Sequence, residues 1–202
     1  MSSDRSCHRL AVSDPSQKEF WKRFCERAFG GGVEFLSSFH TFAFNNSNPL
    51  LHPARMAVLF RDWQSRVYPE NPPFYAGWTD ESSELYIAAD KEMGLILKKL
   101  DDGGACESDY ESVLTHYGVA TAKKLTEKIH SIESFRKILS PMILRNGVWK
   151  PDFTSRYFVE DVDIGLAEII ARGHLSGVSV PVLEGLWTAM IDVRKCGGVE
   201  TR

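Results

Sequence analysis

The 202-residue sequence lacks the features that would place it in several common protein classes. No apolar run approaches the roughly 18 residues of a membrane-spanning helix, and residues 1–13 have no apolar signal core. Neither sign of charge prevails, since 24 Lys and Arg face 27 Asp and Glu, so composition gives no case for nucleic acid or membrane as partner. The four cysteines are far apart and form no CxxC pair, which argues against zinc sites and disulfide scaffolds. We expect a cytoplasmic protein that binds no metal.

The residues that are present predict a helical protein. Hydrophobic residues make up 43% of the chain, enough for a sizeable core, and the length fits one domain, with or without an appendage. Apolar residues recur at helical spacing, and sustained alternation with hairpin turns is not evident, so we predict an all-α fold with no confident strand. About eight or nine helices are expected in one compact domain. They fall near residues 14–29, 33–44, 53–63, 80–100, 109–117, 120–129, 132–139, 162–172 and 182–195.

The segment from Asn45 to Pro53 is the first with side chains suited to catalysis. Four amide or hydroxyl side chains precede His52, which lies between Leu51 and Pro53. A histidine fixed by proline at a helix start is well placed, and a helix N-terminus favours its neutral form, ready to act as a base. Taken alone, the segment is also explained by a helix cap beside a structural histidine.

The segment from Pro151 to Asp163 combines one arginine, several acids and aromatic residues. Arg156 offers a planar fork that can grip a carboxylate with two hydrogen bonds. Asp161, near the predicted helix start, could orient a histidine and stabilise its protonated form. The alternative is an acidic helix start with Arg156 in a local salt bridge. A third segment, Ser176 to Pro181, taken alone is a turn into the last helix.

Together these segments resemble the C-terminal helical domain of the opine dehydrogenases, the octopine and nopaline dehydrogenase group. The resemblance rests on Asn48-Pro49-Leu50-Leu51-His52-Pro53, on Ser155-Arg156-Tyr157-Phe158-Val159-Glu160-Asp161, and on Gly165-Leu166. The turn Gly177-Val178-Ser179-Val180-Pro181 adds to it. These elements occur in the family's order and spacing, and the resemblance covers about residues 33–195.

The resemblance implies a fold like the C-terminal helical domain of opine and 6-phosphogluconate dehydrogenases. It implies reductive condensation of an amino acid with a 2-keto acid such as pyruvate, with NADH or NADPH as the reductant. By resemblance, His52 is the catalytic acid/base, Asp161 is its partner, and Arg156 binds a substrate carboxylate. Asn48 would position His52 or the nicotinamide. Trp149 and Phe153 lie shortly before Arg156 and are candidates to line the substrate entrance.

One large departure from the family is the missing dinucleotide-binding domain, which normally brings βαβ units and a GxGxxG turn. Gly30-Gly31-Gly32 follows a predicted helix rather than a strand, so it is not that turn. A smaller departure is Asp163, where family members often carry proline.

We therefore predict a flexible tail at residues 1–13, an exit helix of the missing domain at 14–32, the helical domain at 33–196, and a tail at 197–202. The isolated chain would be inactive until a Rossmann domain is supplied in trans or by a longer parent chain. The alternative is a non-catalytic, truncated helical module that binds a partner or forms a homodimer.

Overall fold

The computed structural model describes residues 7–36, 43–44, 46–100 and 110–197. These residues form seven α-helices, one π-helical segment and four short strands, so the helix number is slightly below the prediction. The helices are α1 (Lys18–Phe29), α2 (Asn48–Leu59), α3 (Asp80–Leu100), α4 (Val113–Tyr117), α5 (Ala122–Ser131), α6 (Ala167–Leu175) and α7 (Pro181–Cys196). The strands are β1 (Cys7–Leu10), β2 (Gly32–Phe35), β3 (Met142–Arg145) and β4 (Val148–Pro151), and the π-helical segment is Tyr157–Leu166.

The chain divides into two compact units. The first comprises Met1–Asn46 and Leu97–Tyr110, and the second comprises Ser47–Ile96 and Glu111–Arg202. Within the described ranges, no helix is long and apolar enough to cross a membrane.

The first unit contains a parallel strand–helix–strand crossover. Strands β1 and β2 pair in parallel, and α1 connects them. The α1 region begins as predicted, since the Asp14 side chain accepts the backbone N–H of Ser16, and α1 ends at Gly30, which has a φ of 70°. The prediction of a helix over 33–44 is wrong for the residues of β2, because pairing with distant β1 decides their conformation. Residues 37–42 of that prediction lie outside the described residues.

In the second unit, helix α2 packs against the π-helical segment. Gly165 permits this close approach, since a Cβ atom there would lie 2.5 Å from Cγ of Pro49. The prediction that this helix starts at Pro53 is wrong, because it begins at Asn48 and Pro53 lies inside it. Pro49 occupies the first turn, where the missing N–H is tolerated, and the amides of Leu50 and Leu51 donate to the carbonyl of Ser47 at 3.1 and 2.9 Å.

A β-hairpin lies between Pro141 and Pro151, in the interval between the helices predicted near residues 132–139 and 162–172. Strands β3 and β4 pair antiparallel, and Asn146-Gly147 joins them with φ values of 51° and 78°. Two successive positive φ values are the conformation of a two-residue type I′ hairpin turn, for which Asn-Gly is the favoured sequence. The absence of confident strands was therefore a wrong prediction, although the fold is mainly helical as expected.

The remaining elements follow the predicted pattern with shifted ends. The predicted helix over 80–100 is α3, and the last predicted helix is α7. The helix predicted near 132–139 is only a short 3₁₀ turn, Glu133–Phe135. The helix predicted at 162–172 begins earlier, with the π-helical segment, and continues as α6.

Charged side chains bind helix α7 near both of its ends. The Glu92 carboxylate, from α3, accepts the amides of Val182 and Leu183 at 2.9 Å each. Near the other end, Arg194 donates to both carboxylate oxygens of Asp163 at 2.5 and 2.8 Å. The residue that departs from the resembled family, Asp163, is thus half of a bidentate ion pair.

Candidate active site

His52 lies on α2 in the second unit, and it is almost fully buried, with 1% of its surface exposed. Pro49 and Pro53 flank it on the same helix. Because the first turn packs directly on Gly165, the imidazole is directed towards the π-helical segment. The Asn-Pro-Leu-Leu-His-Pro sequence therefore fixes both the helix and the position of the histidine.

Asp161 forms the closest polar contact of His52. Its Oδ2 atom lies 2.7 Å from Nδ1 of the imidazole, and both side chains are buried. An ionised carboxylate can only accept hydrogen bonds, so Nδ1 carries a hydrogen and donates it. The two residues that sequence analysis placed together are brought together by the fold, although Asp161 lies inside the π-helical segment rather than at a helix start.

Tyr75 makes the other polar contact of the imidazole. Its hydroxyl lies 3.0 Å from Nε2 of His52. Since Nδ1 holds the hydrogen of the neutral ring, Nε2 accepts and the phenol donates. Tyr75 lies between the helices predicted near residues 53–63 and 80–100, and sequence analysis did not identify it. The signal that could have drawn attention is the aromatic run Phe74-Tyr75-Ala76-Gly77-Trp78, which is unusual for a solvated loop.

Aromatic rings enclose the imidazole. Tyr157 stacks on it with ring centroids 3.9 Å apart and an interplanar angle of 16°, and Phe74 meets it edge-on at 5.5 Å. Burial raises the pKa of the Tyr75 phenol well above its usual range, and the neighbouring Tyr157 phenol adds to this effect. Burial also raises the pKa of Tyr157. Both phenols are therefore neutral donors at physiological pH.

Arg156 provides the positive charge of the site. Its guanidinium carbon lies 5.9 Å from the centroid of the Tyr157 ring. Burial raises the pKa of Tyr75 and Tyr157, and the positive charge of Arg156 offsets part of that increase. The side chain is exposed, and within the described part of the chain it makes no ion pair. The local salt bridge considered as an alternative is thus not seen there, and the guanidinium is accessible to an anion.

The remaining candidates occupy different positions. Asn48 is the first residue of α2 and lies one helical turn before His52, so both share a helix face. Trp149 lies on β4, and its backbone amide donates to the carbonyl of Tyr68 at 3.0 Å. Phe153 packs edge-on against Trp63 and Phe158, at centroid distances of 6.3 and 5.2 Å. Among the described residues, no ring contact links Trp149 or Phe153 to His52, so their entrance role stays a prediction.

A groove of about 600 Å³ lies elsewhere in the second unit. Trp63 and residues of α7 line it, whereas His52, Tyr75, Arg156 and Asp161 do not. Phe153 contacts Trp63, which is one of the residues that line this groove. The groove and the histidine site are therefore separate features of the second unit.

The arrangement is suited to proton transfer beside a bound anion. A buried carboxylate orients the imidazole and stabilises its protonated form. A neutral phenol reaches the second ring nitrogen, and an exposed guanidinium can grip a carboxylate. In the ranges the structure describes, no group of three or more His, Cys, Asp or Glu is arranged to hold a metal ion.

The connection from β1 to α1 does not fit the pyrophosphate of a dinucleotide. In the β1–α1–β2 crossover, the connection from β1 to α1 is Ala11-Val12-Ser13-Asp14-Pro15, without glycine. The Asp14 carboxylate accepts the first free amide there, from Ser16. A phosphate would need that amide and would be repelled by the carboxylate. This helix start is therefore not a phosphate site of the kind found in dinucleotide-binding turns.

Comparison with known proteins gives one family match. The model of the alpha-helical domain of NAD/NADP octopine/nopaline dehydrogenases matches residues 35–193. Tauropine dehydrogenase from Arabella iricolor is 27% identical over 146 residues, which cover 68% of this chain and 37% of that protein. Octopine dehydrogenase from Pecten maximus is 23% identical over 143 residues, which cover 67% of this chain and 36% of that protein.

Solved structures agree in fold. Octopine dehydrogenase with NADH and L-arginine has a TM-score of 0.77 and 18% identity, and the match covers 96% of this chain and 50% of that one. The complex with NADH and agmatine also has a TM-score of 0.77, at 18% identity, covering 95% and 50% of the two chains. The chain thus spans half or less of the length of the relatives that it matches.

Proposed function

Because the chain belongs to the octopine and nopaline dehydrogenase family through its alpha-helical domain, we propose that it is the substrate-binding and acid–base part of an opine dehydrogenase. The proposed reaction is the reversible reductive condensation of an amino acid with a 2-keto acid such as pyruvate. The observation that carries the proposal is the buried pair of His52 and Asp161, 2.7 Å apart, with Arg156 5.9 Å from the Tyr157 ring that stacks on His52. The pair supplies acid–base chemistry, and the guanidinium supplies a site for a substrate carboxylate.

The residues have separate roles in this proposal. His52 gives and takes the protons of imine formation, and Asp161 orients its ring and stabilises the imidazolium. Arg156 binds the carboxylate of the keto acid or the amino acid. Asn48 shares the helix face of His52 and positions it or the substrate. Trp149 and Phe153 line the approach to the site.

NADH or NADPH would supply the hydride and would be bound by a dinucleotide-binding domain on a longer chain or on a partner. The β1–α1 connection of this chain is unsuited to a pyrophosphate because Asp14 occupies the helix start. We expect the isolated chain to be inactive for that reason. The amino acid specificity is left open by the residues named.

A fusion tests the proposed function. The chain is joined to the dinucleotide-binding half of octopine dehydrogenase from Pecten maximus, and NAD(P)H oxidation is followed with pyruvate and a panel of amino acids. We expect oxidation that requires both substrates, and loss of turnover by about 100-fold or more in His52→Gln. Oxidation at wild-type rates in His52→Gln would contradict the assignment.

A binding measurement on the isolated chain tests the role of Arg156 without turnover. Pyruvate is titrated into the labelled chain and followed by NMR. Arg156→Gln should weaken binding by about tenfold or more, because a charge-assisted bidentate contact is lost. Arg172→Gln removes a partly exposed arginine that pairs with Glu168 on α6 and should leave binding unchanged. Equal affinity in all three proteins would contradict the role of Arg156.

The alternative function is a helical module that binds a partner or forms a homodimer. The observation that favours it is the aromatic face of α1, where the rings of Phe20, Trp21 and Phe24 contact one another and are 60%, 38% and 49% exposed. Aromatic side chains exposed together mark contact surfaces. Sedimentation of the wild type and of Phe20→Lys/Phe24→Lys tests it. Association in the wild type alone would support this function, and a monomer at all concentrations would contradict self-association.

A further inference from the structure

We propose that Tyr75 is the proton relay between His52 and the substrate, so that the reacting atom meets the phenol oxygen rather than the imidazole. This inference rests on the proposed function and adds a catalytic group to it. It follows from two features of the site. Both nitrogens of the imidazole are engaged, and the ring of Tyr75, whose hydroxyl meets Nε2, is held in place.

Both nitrogens of His52 are engaged. Nδ1 donates to Asp161 at 2.7 Å, and Nε2 accepts from the Tyr75 hydroxyl at 3.0 Å. Tyr157 covers one face of the imidazole, with ring centroids 3.9 Å apart, and His52 is only 1% exposed. A proton can therefore pass between Nε2 and a substrate in only two ways. Either Tyr75 moves away from the imidazole, or the proton travels through the Tyr75 hydroxyl.

The ring of Tyr75 is packed against further aromatic residues. It stacks on Phe135 with centroids 4.1 Å apart and an angle of 19°, and it lies nearly parallel to Trp78 at 6.2 Å. Trp78 is itself fixed, since its indole N–H donates to the Ser83 hydroxyl at 2.9 Å. Moving the ring of Tyr75 would break these ring contacts, whereas rotation of the hydroxyl hydrogen about the C–O bond would leave them intact.

The loop that carries Tyr75 is tied to the helix that carries His52. Arg55, one turn after His52 on α2, donates from Nε to the carbonyl of Phe74 at 3.1 Å. Gly77 makes room for the guanidinium, because a Cβ atom there would lie 2.9 Å from Nη2 of Arg55. Burial lowers the pKa of Arg55 to about 10, so this tie stays charged at physiological pH. The distance between Nε2 and the phenol is thus fixed by contacts on both sides.

The relay step is balanced in protons. When His52 is protonated, its Nε2–H proton passes to the phenol oxygen while the phenol proton passes to the substrate oxygen or nitrogen. One N–H bond breaks, one O–H bond is exchanged, and one bond to hydrogen forms on the substrate. Tyr75 begins and ends as a neutral phenol, and His52 ends neutral. In the opposite direction, His52 takes a proton from the substrate by the same route.

The surroundings of the phenol suit this role. Burial raises the pKa of Tyr75, so the group keeps its proton between turnovers. The charge of Arg156 reaches the same phenol, and a substrate carboxylate held by Arg156 would bring the adjacent carbon near the tyrosine oxygen. The relay thus connects the proposed anion site with the buried histidine.

The variant that tests the relay is Tyr75→Phe, which removes the hydroxyl and keeps the stacked ring. In the fusion protein described above, we expect Tyr75→Phe to lower kcat by about 100-fold or more and to change KM by about threefold or less. The wild type should show a curved dependence of kcat on the D₂O fraction, since two protons move together, and the residual rate of the variant should show a linear one. Unchanged kcat in Tyr75→Phe would overturn the relay and indicate that the substrate reaches Nε2 directly.

Tyr68→Phe is the matched control. Tyr68 is 5% exposed and Tyr75 is 6% exposed, and the Tyr68 hydroxyl donates one hydrogen bond to the carbonyl of Leu59 at 2.8 Å. The control therefore loses a buried phenol hydroxyl outside the site, and its kcat should stay within about threefold of the wild type. An equal loss of kcat in both variants would overturn the relay, because it would mark a general effect of removing a buried hydroxyl.

The isolated chain gives a second test that needs no turnover. With ¹⁵N-labelled histidine, the neutral ring of His52 should carry its hydrogen on Nδ1, although free imidazole side chains favour Nε2. Tyr75→Phe should shift the Nε2 resonance towards that of a nitrogen without a donor and leave Nδ1–H in place. A hydrogen on Nε2 in the neutral wild type would overturn the relay even if the fusion turns over. A fusion without turnover would overturn the proposed function and the relay with it.

Discussion

The Nδ1 atom of His52 and the Oδ2 atom of Asp161 lie 2.7 Å apart, although the residues are separated by 109 positions in the sequence. The contact links α2 with the π-helical segment and is buried on both sides. A charge-assisted hydrogen bond of this kind stabilises a fold more than a neutral one does. The pair therefore serves the structure as well as the proposed chemistry.

Asp161→Asn should lower the free energy of unfolding by about 1–3 kcal/mol, because the buried imidazole loses an ionised acceptor and retains at best an amide oxygen. Urea denaturation of the isolated chain, followed by circular dichroism, measures the change. Asp192→Asn is the control, since that carboxylate is exposed and lies 3.7 Å from Lys195. We expect the control to change stability by only a few tenths of a kcal/mol. Equal stability of Asp161→Asn and the wild type would contradict the prediction.

The contact of Pro49 with Gly165 gives the second prediction. A Cβ atom on residue 165 would lie 2.5 and 2.8 Å from two atoms of the Pro49 ring, so Gly165→Ala must separate α2 from the π-helical segment. We expect a loss of about 1–3 kcal/mol in the free energy of unfolding. Weaker turnover of the fusion should accompany it, because the same movement separates His52 from Asp161.

Gly185→Ala provides a matched control for that substitution. Gly185 lies inside α7, and a Cβ atom there would meet nothing within 4 Å. Alanine at an open helical position should raise the free energy of unfolding by about 0.5–1 kcal/mol. Opposite signs for the two glycine substitutions are expected in the same denaturation series. A stabilising effect at position 165 would show that the close contact does not constrain the packing.

Sequence patterns predicted the helical class, and the family resemblance gave the residues of the central pair. The spacing of apolar residues located α3 and α7 nearly to their ends, because both helices are long and amphipathic. The resemblance joined His52 with Asp161, and the fold places them in contact. Local patterns were informative for α3 and α7, which are regular helices, whereas Asp161 lies in a π-helical segment that spacing did not predict.

The errors have identifiable causes. Strand β2 depends on pairing with β1, a partner distant in the sequence, so local spacing could not reveal it. The hairpin, in contrast, had a local signal in Asn146-Gly147, which was available and was missed. Tyr75 could not be identified from spacing, because its contact with His52 depends on how the loop from Tyr68 to Tyr75 folds over α2.

The tyrosines predict how stability changes at high pH. Burial is the first cause of a raised pKa at five of them: Tyr68, Tyr75, Tyr86, Tyr117 and Tyr157. In the unfolded chain these phenols lose their protons near pH 10, whereas the folded chain holds them to higher pH. The unfolded state then binds fewer protons, so the free energy of unfolding falls as the pH rises above about 10.

Alkaline titration tests this prediction. The folded chain should show little tyrosinate absorbance near pH 10, and the absorbance should rise together with the loss of helical circular dichroism. Stability is constant with respect to these groups below about pH 9, where both states hold their protons. Full ionisation of the tyrosines near pH 10 in a chain that remains folded would contradict the burial-raised pKa values.

The last prediction concerns the contact between Glu92 and the start of α7. The carboxylate accepts the amides of Val182 and Leu183 at 2.9 Å each, and Glu92 is buried. These amides belong to the first turn of the helix, where no carbonyl within the helix can accept them, and the helix dipole favours a negative charge there. Glu92→Gln would turn an amide N–H₂ group towards one of the two backbone donors. We expect a loss of about 1–3 kcal/mol in the free energy of unfolding.

Glu184→Gln is the control for Glu92, because it removes an acidic charge from the first turn of the same helix but from an exposed side chain. That carboxylate pairs with His174 at the surface, where ion pairs contribute only a few tenths of a kcal/mol. Denaturation of both variants in urea separates the two effects. A large loss confined to Glu92→Gln would show that capping by a buried carboxylate holds α7 to α3. Equal losses would show that the helix responds only to the charge near its first turn, and the capping role of Glu92 would then be wrong.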